Sequence, residues 1–159
     1  MKRSDVVTAA GMGAMAGMRV LSAPAFMSQQ MAEDGVPPKA SPVEEILASS
    51  TVARALPLLA FGEFILDKLP GMPPRLGTPG LLVRGISGAL VGMALARHKK
   101  VPVVGLAVVG AAASLVSSFV LYSARRLATE RMHVPNVIAG FLEDALVTSV
   151  GMRLATKLG

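Results

Sequence analysis

The chain has 159 residues, of which 52% are hydrophobic and only 16% are charged, and its mean hydropathy is +0.57. Soluble domains carry about a quarter charged residues, and one this small could not bury so much apolar surface. Disordered chains are poor in aliphatic residues, so disorder is excluded as well. The absence of cysteine excludes disulfides and thiolate metal sites. These numbers predict an all-α, polytopic helical membrane protein with one transmembrane domain over residues 1–159.

The net charge of +6 lies in short basic clusters between apolar runs rather than along one stripe. Nucleic-acid binding normally combines a basic stripe with stacking aromatics, whereas this chain has five Phe, one Tyr and no Trp. The clusters instead predict contact with the anionic headgroups of a lipid bilayer, and we expect no nucleic-acid partner. The clusters are Lys2-Arg3, 97–100 and Arg125-Arg126 with Arg131.

The first apolar segment, Val6–Phe26, contains only Arg19 as an ionisable residue and is predicted to cross the membrane. A cleaved signal peptide is the alternative, but Asp5, Arg19 and the richness in Gly and Met favour a retained helix. The acidic, proline-containing stretch after it is predicted to be a solvated connecting loop over residues 27–41.

A second helix is predicted from the sequence Ser41-Pro42-Val43-Glu44, a capping box with proline at the first helical position. The helical pattern continues to Asp67, before Pro70. Its apolar second half is short and contains Glu63. We interpret it as a full tilted span, with a membrane-inserted half-helix as the alternative.

Three further spans complete a prediction of about five. Leu76–Ala96 contains Arg84 and begins at a Thr78-Pro79 cap, and Val101–Ala124 has no charge in 24 residues. A helix of that length is about 36 Å long, enough for a hydrocarbon core of roughly 30 Å. Val134–Leu154 is the last span. With five spans, Lys2 and Lys99 lie on opposite sides of the membrane. The side that holds the N-terminus has slightly more Lys and Arg than the other side, which favours a cytoplasmic N-terminus.

The two halves of the chain show weak similarity. Thr78–Val91 and Val134–Val147 share a proline near the start and the triplet Ala-Leu-Val at one offset. This similarity indicates an internal helix-pair repeat, although apolar helices rich in Ala, Leu and Val also match by composition.

Ionisable residues inside the spans define the candidate binding site. A charge at membrane depth costs about 2.5 kcal/mol or more, so such residues normally face the bundle interior and pair. Two readings stay open: the excess carboxylates bind a cation or proton, or they form structural bridges with the arginines. The candidate binding residues are Glu63, Asp67, Arg84, Glu143 and Asp144.

The glycine pairs Gly13/Gly17 and Gly88/Gly92 are small-xxx-small motifs that let helix backbones approach closely. They predict packing within the chain or, alternatively, a homodimer interface. Enzyme motifs are absent from the sequence, and only His98 and His133 could serve as histidine acid–bases. We therefore expect no enzymatic activity, no metal site and no cofactor.

Several segments together resemble one family. The sequence AAGMGAMAGMRVLSAP, then GEFILDKLPG, LVRGISGALVGMALA and FLEDALV, is similar to bacterial domain-of-unknown-function family 4126. The resemblance implies a small multi-spanning protein of the bacterial inner membrane and no established activity. From the residues we predict a small transporter or channel-like protein, a homo-oligomer that handles a small ion or solute. The alternative is a noncatalytic membrane scaffold or accessory subunit.

Overall fold

The computed structural model describes residues 2–35, 40–66, 77–131, 138, 140–142, 145, 149 and 153, except for the side chains of residues 64 and 66. Within this part of the chain there are helices and no strands, which confirms the all-α prediction. The helices are α1 (Arg3–Met18), α2 (Ser22–Asp34), α3 (Pro42–Ala48), α4 (Ser50–Leu66), α5 (Thr78–His98) and α6 (Val103–Glu130).

Two of the described helices, α5 and α6, are long and apolar enough to cross a membrane. Helices α3 and α4 add a third span if the bent pair crosses as one. The outer faces of the long helices are apolar: Val104 of α6 is 74% exposed and Leu82 of α5 is 61% exposed. Large exposed apolar side chains of this kind suit contact with lipid. The predicted last span, Val134–Leu154, lies mostly outside the described residues.

Glycines at the helix crossings give the directions of the central helices. Gly88 lies against Gly110, and Gly92 lies against Leu106, so α5 and α6 are antiparallel. Gly13 also lies against Gly110, and Gly17 lies against Ser114, so α1 runs parallel to α6. Helix α1 therefore begins at the end of the bundle where α5 ends and α6 begins, which we call the loop end.

Helices α1 and α2 form a hairpin. Between them Arg19 is extended, with φ −141° and ψ 120°. The Val20 carbonyl accepts a hydrogen bond from Ser87, in the middle of α5, whereas Asp34 lies 3.7 Å from His98 at the end of α5. Helix α2 thus returns to the loop end. We call α1, α2 and the connection at residues 19–21 the N-terminal hairpin, and residues 19–21 its tip.

The prediction of one crossing helix over Val6–Phe26 is therefore wrong. Hydropathy reports the preference of a segment for an apolar environment and does not report its direction. The prediction that Lys2 and Lys99 lie on opposite sides of the membrane is wrong as well. Both residues line one pocket at the loop end.

The loop predicted over 27–41 is helical as far as Asp34. Met27 and Met31, four residues apart on one helix face, are 1% and 3% exposed. The polar residues that suggested a loop, such as Gln29 and Glu33, lie on the exposed face. The helix ends at Gly35, whose φ of +80° favours glycine.

The capping box at the start of α3 is confirmed. The Ser41 amide donates to the Glu44 carboxylate at 2.6 Å, and the Glu44 amide donates to the Ser41 hydroxyl at 3.4 Å. The helix does not continue to Asp67 as predicted, because Ser49 is extended and α4 starts afresh at a 73° bend. Helix α5 is capped by Gly77 rather than by Thr78.

Candidate functional site at the tip of the hairpin

Glycine lets the hairpin approach the two long helices. A Cβ atom on Gly17 would lie under 3.0 Å from the Ser114 carbonyl, and one on Gly13 would lie equally close to Gly110. Gly88 and Gly92 make the same kind of approach between α5 and α6. All four predicted packing glycines therefore lie at helix crossings within one chain.

Three serines of α6 face the hairpin. Ser117 donates its hydroxyl to the Ala14 carbonyl at 2.9 Å, and Ser118 donates to the Gly17 carbonyl at 3.0 Å. Ser114, which is fully buried, donates to the Arg84 carbonyl of α5 at 2.7 Å. The Ser117 and Ser118 hydroxyls thus reach carbonyl groups in the last turns of α1, where the final carbonyls lose their helical partners.

Helix α5 contributes two more donors, one to the end of α1 and one to the tip. The Arg84 guanidinium donates from Nε to the Gly17 carbonyl at 3.1 Å, and the Ser87 hydroxyl donates to the Val20 carbonyl at 2.6 Å. Arg84 is only 8% exposed. Its positive charge suits the C-terminal end of α1, because the helix dipole is negative there.

Glu63 of α4 binds the backbone just before α2, on the other side of the break between α1 and α2. One carboxylate oxygen accepts the Val20 amide, and the other accepts the Leu21 amide, both at 3.0 Å. These amides precede the first turn of α2, where the helix dipole is positive. A carboxylate therefore faces the start of α2, and a guanidinium faces the end of α1.

The tip lies at the middle of the long helices. Ser114, which contacts Gly17, is about 20 Å from the start and about 15 Å from the end of the uncharged segment 101–124, at 1.5 Å per residue. If α6 crosses a bilayer, the tip lies near its midplane. Irregular backbone is tolerated at that depth only where protein or a water-filled cavity surrounds it.

The family model described as Domain of unknown function (DUF4126) matches residues 6–157. The chain belongs to this family. No curated protein and no solved structure matches the chain. The family resemblance is thus confirmed, and it supplies no activity for the site.

Of the predicted binding residues, the structure brings Glu63 and Arg84 to the same end of the hairpin, where they bind backbone groups of Val20 and Gly17. Asp67, Glu143 and Asp144 lie outside the described residues. The pairing of Arg84 with Glu63 or Glu143 stays a prediction. Among the described residues, no group of His, Asp and Glu is arranged to hold a metal ion.

None of the serines at this site is predicted from the sequence as a binding residue. Ser87 and Ser117 lie inside apolar helices and resemble ordinary small packing residues there. The sequence does contain a pattern that indicates a polar face at Ser117, because Ser114, Ser117 and Ser118 lie at positions i, i+3 and i+4 on one side of the helix. The role of Ser87 has no local signal, since its partner Val20 is 67 residues away.

A second polar cluster lies at the loop end of the bundle. Glu44, only 2% exposed, accepts a hydrogen bond from Arg97 at 3.4 Å. The neighbouring residue His98 faces Asp34 at 3.7 Å. The end of α5 is thereby tied to the end of α2 and to the start of α3. The cluster therefore holds the end of α2 and the start of α3 against the end of α5.

Proposed function

We propose that this protein is a small transporter or channel-like protein of the bacterial inner membrane, and that the hairpin tip binds a small ion or solute. One observation carries the proposal: the Glu63 carboxylate is bonded to backbone amides at a helix break level with the middle of α6. Transporters commonly build their sites from discontinuous helices near the bilayer midplane, where helix ends face charged groups.

The chemistry of the tip favours reversible binding. A carboxylate that holds two amides can exchange one of them for a cation or a proton, while Arg84 keeps the end of α1 in place. Deep ionisable groups are expensive, and they commonly mark ion pathways. In this proposal Asp67, Glu143 and Asp144 contribute further carboxylates to the same polar interior, and no catalytic step is involved.

The close packing of the central helices favours an oligomer. Backbones meet at the crossings of α1, α5 and α6, which leaves little room for a path between them. A homodimer could enclose the path along the outer side of the hairpin. We therefore propose a homo-oligomer, without assigning the glycine pairs to its interface.

A scaffold or accessory subunit is the second candidate function. It is favoured by the buried serine hydroxyls around the hairpin, each of which donates to a backbone carbonyl. Hydroxyls used in this way hold the helices together and leave no donor for a ligand. The serines are Ser87, Ser114, Ser117 and Ser118.

Reconstitution into liposomes separates the two candidates. We expect the protein to carry H⁺, Na⁺ or K⁺ above the rate of empty liposomes, measured with pH-sensitive and cation-sensitive dyes. Glu63→Gln should abolish the flux, whereas Glu45→Gln, which changes an exposed glutamate of α3, should leave it intact. Wild-type protein that carries none of the three ions would favour the scaffold.

A further inference from the structure

An open pocket at the loop end brings together cations that are far apart in the chain. Lys2 and Arg3 at the start of α1, and Lys99 after the end of α5, line a cavity of about 630 Å³. All three side chains are exposed. Asp5 also lines the pocket, and its carboxylate accepts the Lys2 amide at 2.8 Å. Among the described residues that line the pocket, three are cationic and one is a carboxylate, so this lining is positive.

We propose that this pocket binds the phosphate headgroup of an anionic phospholipid, independently of any transport at the hairpin tip. Lys99 stands two residues before Val101, where the uncharged segment of α6 begins. The pocket therefore lies at the level where the hydrocarbon core gives way to headgroups. Basic side chains at this level attract anionic lipids.

The lining also distinguishes a lipid from a soluble phosphate. Val7 lies one turn along α1 from Arg3 and is 56% exposed, and it lines the same pocket. It offers an apolar wall on the side toward the membrane, where the first part of an acyl chain would lie. A pocket for free phosphate has no use for such a wall.

The charges select among headgroups. The Arg3 guanidinium can bind two phosphate oxygens at once, and the two lysines act as point charges. Phosphatidylglycerol carries one net negative charge and no cation. Phosphatidylcholine carries a quaternary ammonium group, which three neighbouring cations would repel. The pocket is therefore selective for phosphatidylglycerol over phosphatidylcholine.

Native mass spectrometry of the full chain in detergent tests this selectivity, with phosphatidylglycerol and phosphatidylcholine of identical acyl chains offered in equal amounts. We expect the wild type to retain phosphatidylglycerol in preference by about fivefold or more. The triple variant Lys2→Gln/Arg3→Gln/Lys99→Gln should lose the preference. The control Arg125→Gln/Arg126→Gln/Arg131→Gln removes the same charge at the other end of α6 and should keep it.

Three results would overturn the proposal. The wild type could show no preference, the loop-end triple variant could keep the preference, or both triple variants could lose it equally. A further arm adds inorganic phosphate in excess over lipid. Displacement of phosphatidylglycerol by inorganic phosphate would assign the pocket to the free anion, whereas retention supports the lipid. The substituted side chains are exposed except for the half-buried Arg125, and the circular dichroism spectra of all variants should match that of the wild type.

Discussion

The Glu63 carboxylate holds the Leu21 amide at 3.0 Å, although 42 residues separate them in the chain. The same carboxylate binds the Val20 amide. The helix break at the tip of the hairpin is therefore stabilised by a side chain from α4, which comes two helices after α2.

Removal of the carboxylate should destabilise the fold. Glu63→Ala leaves two half-buried backbone amides at the tip without their acceptor, and an unsatisfied donor costs up to about 1–3 kcal/mol when it is fully buried. We expect a clear drop in the midpoint of thermal unfolding in detergent. Glu45→Ala, at an exposed position of α3, is the matched control. Equal midpoints for the two variants would contradict the role of Glu63.

Arg84 and Glu63 should be energetically coupled. Both bind the few residues around the tip, and residues in one hydrogen-bond network show coupling of about 0.5–3 kcal/mol. Arg84→Met and Glu63→Gln, singly and together, form a double-mutant cycle on thermal stability. A second cycle pairs Arg84→Met with Glu143→Gln. Additive losses in both cycles would show that Arg84 acts with neither glutamate.

The two kinds of glycine should respond oppositely to alanine. Gly17→Ala places a Cβ against the backbone of α6, and overpacking of this kind costs about 1–3 kcal/mol. Gly62 is also helical, but a Cβ there would meet nothing within 4 Å. Gly62→Ala should raise stability by up to about 1 kcal/mol, the difference in helix propensity. Unfolding midpoints that fall equally would contradict the close crossing.

The hairpin predicts which positions lie on the same side of the membrane. Single cysteines can test this prediction, because the natural sequence contains no cysteine. Single cysteines replacing Ser4, Glu33 and Lys100 should react with a membrane-impermeant maleimide from the same side of the membrane. A cysteine replacing Glu130, at the far end of α6, should react from the opposite side. All four positions are exposed. A single crossing helix over Val6–Phe26 would instead place Ser4 and Glu33 on opposite sides.

Local features of the sequence predicted much of the architecture. The uncharged run from Val101 is long enough to span a bilayer by itself, and the structure contains α6 there. The capping box at Ser41 depends on contacts three residues apart, so its pattern was sufficient. Glycine spacing predicted close helix crossings, because the absence of a side chain is a property of the residue alone.

Only the tertiary structure decided that the chain reverses at Arg19 and returns to the loop end. Hydropathy measures how well a segment tolerates an apolar environment, and a hairpin and a crossing helix satisfy that measure equally. A helix break in such an environment is stable only if its amides and carbonyls find partners. Those partners, Glu63 and Ser87, come from helices 40 or more residues away. No local pattern around Arg19 carries that information, because the break depends on the whole bundle.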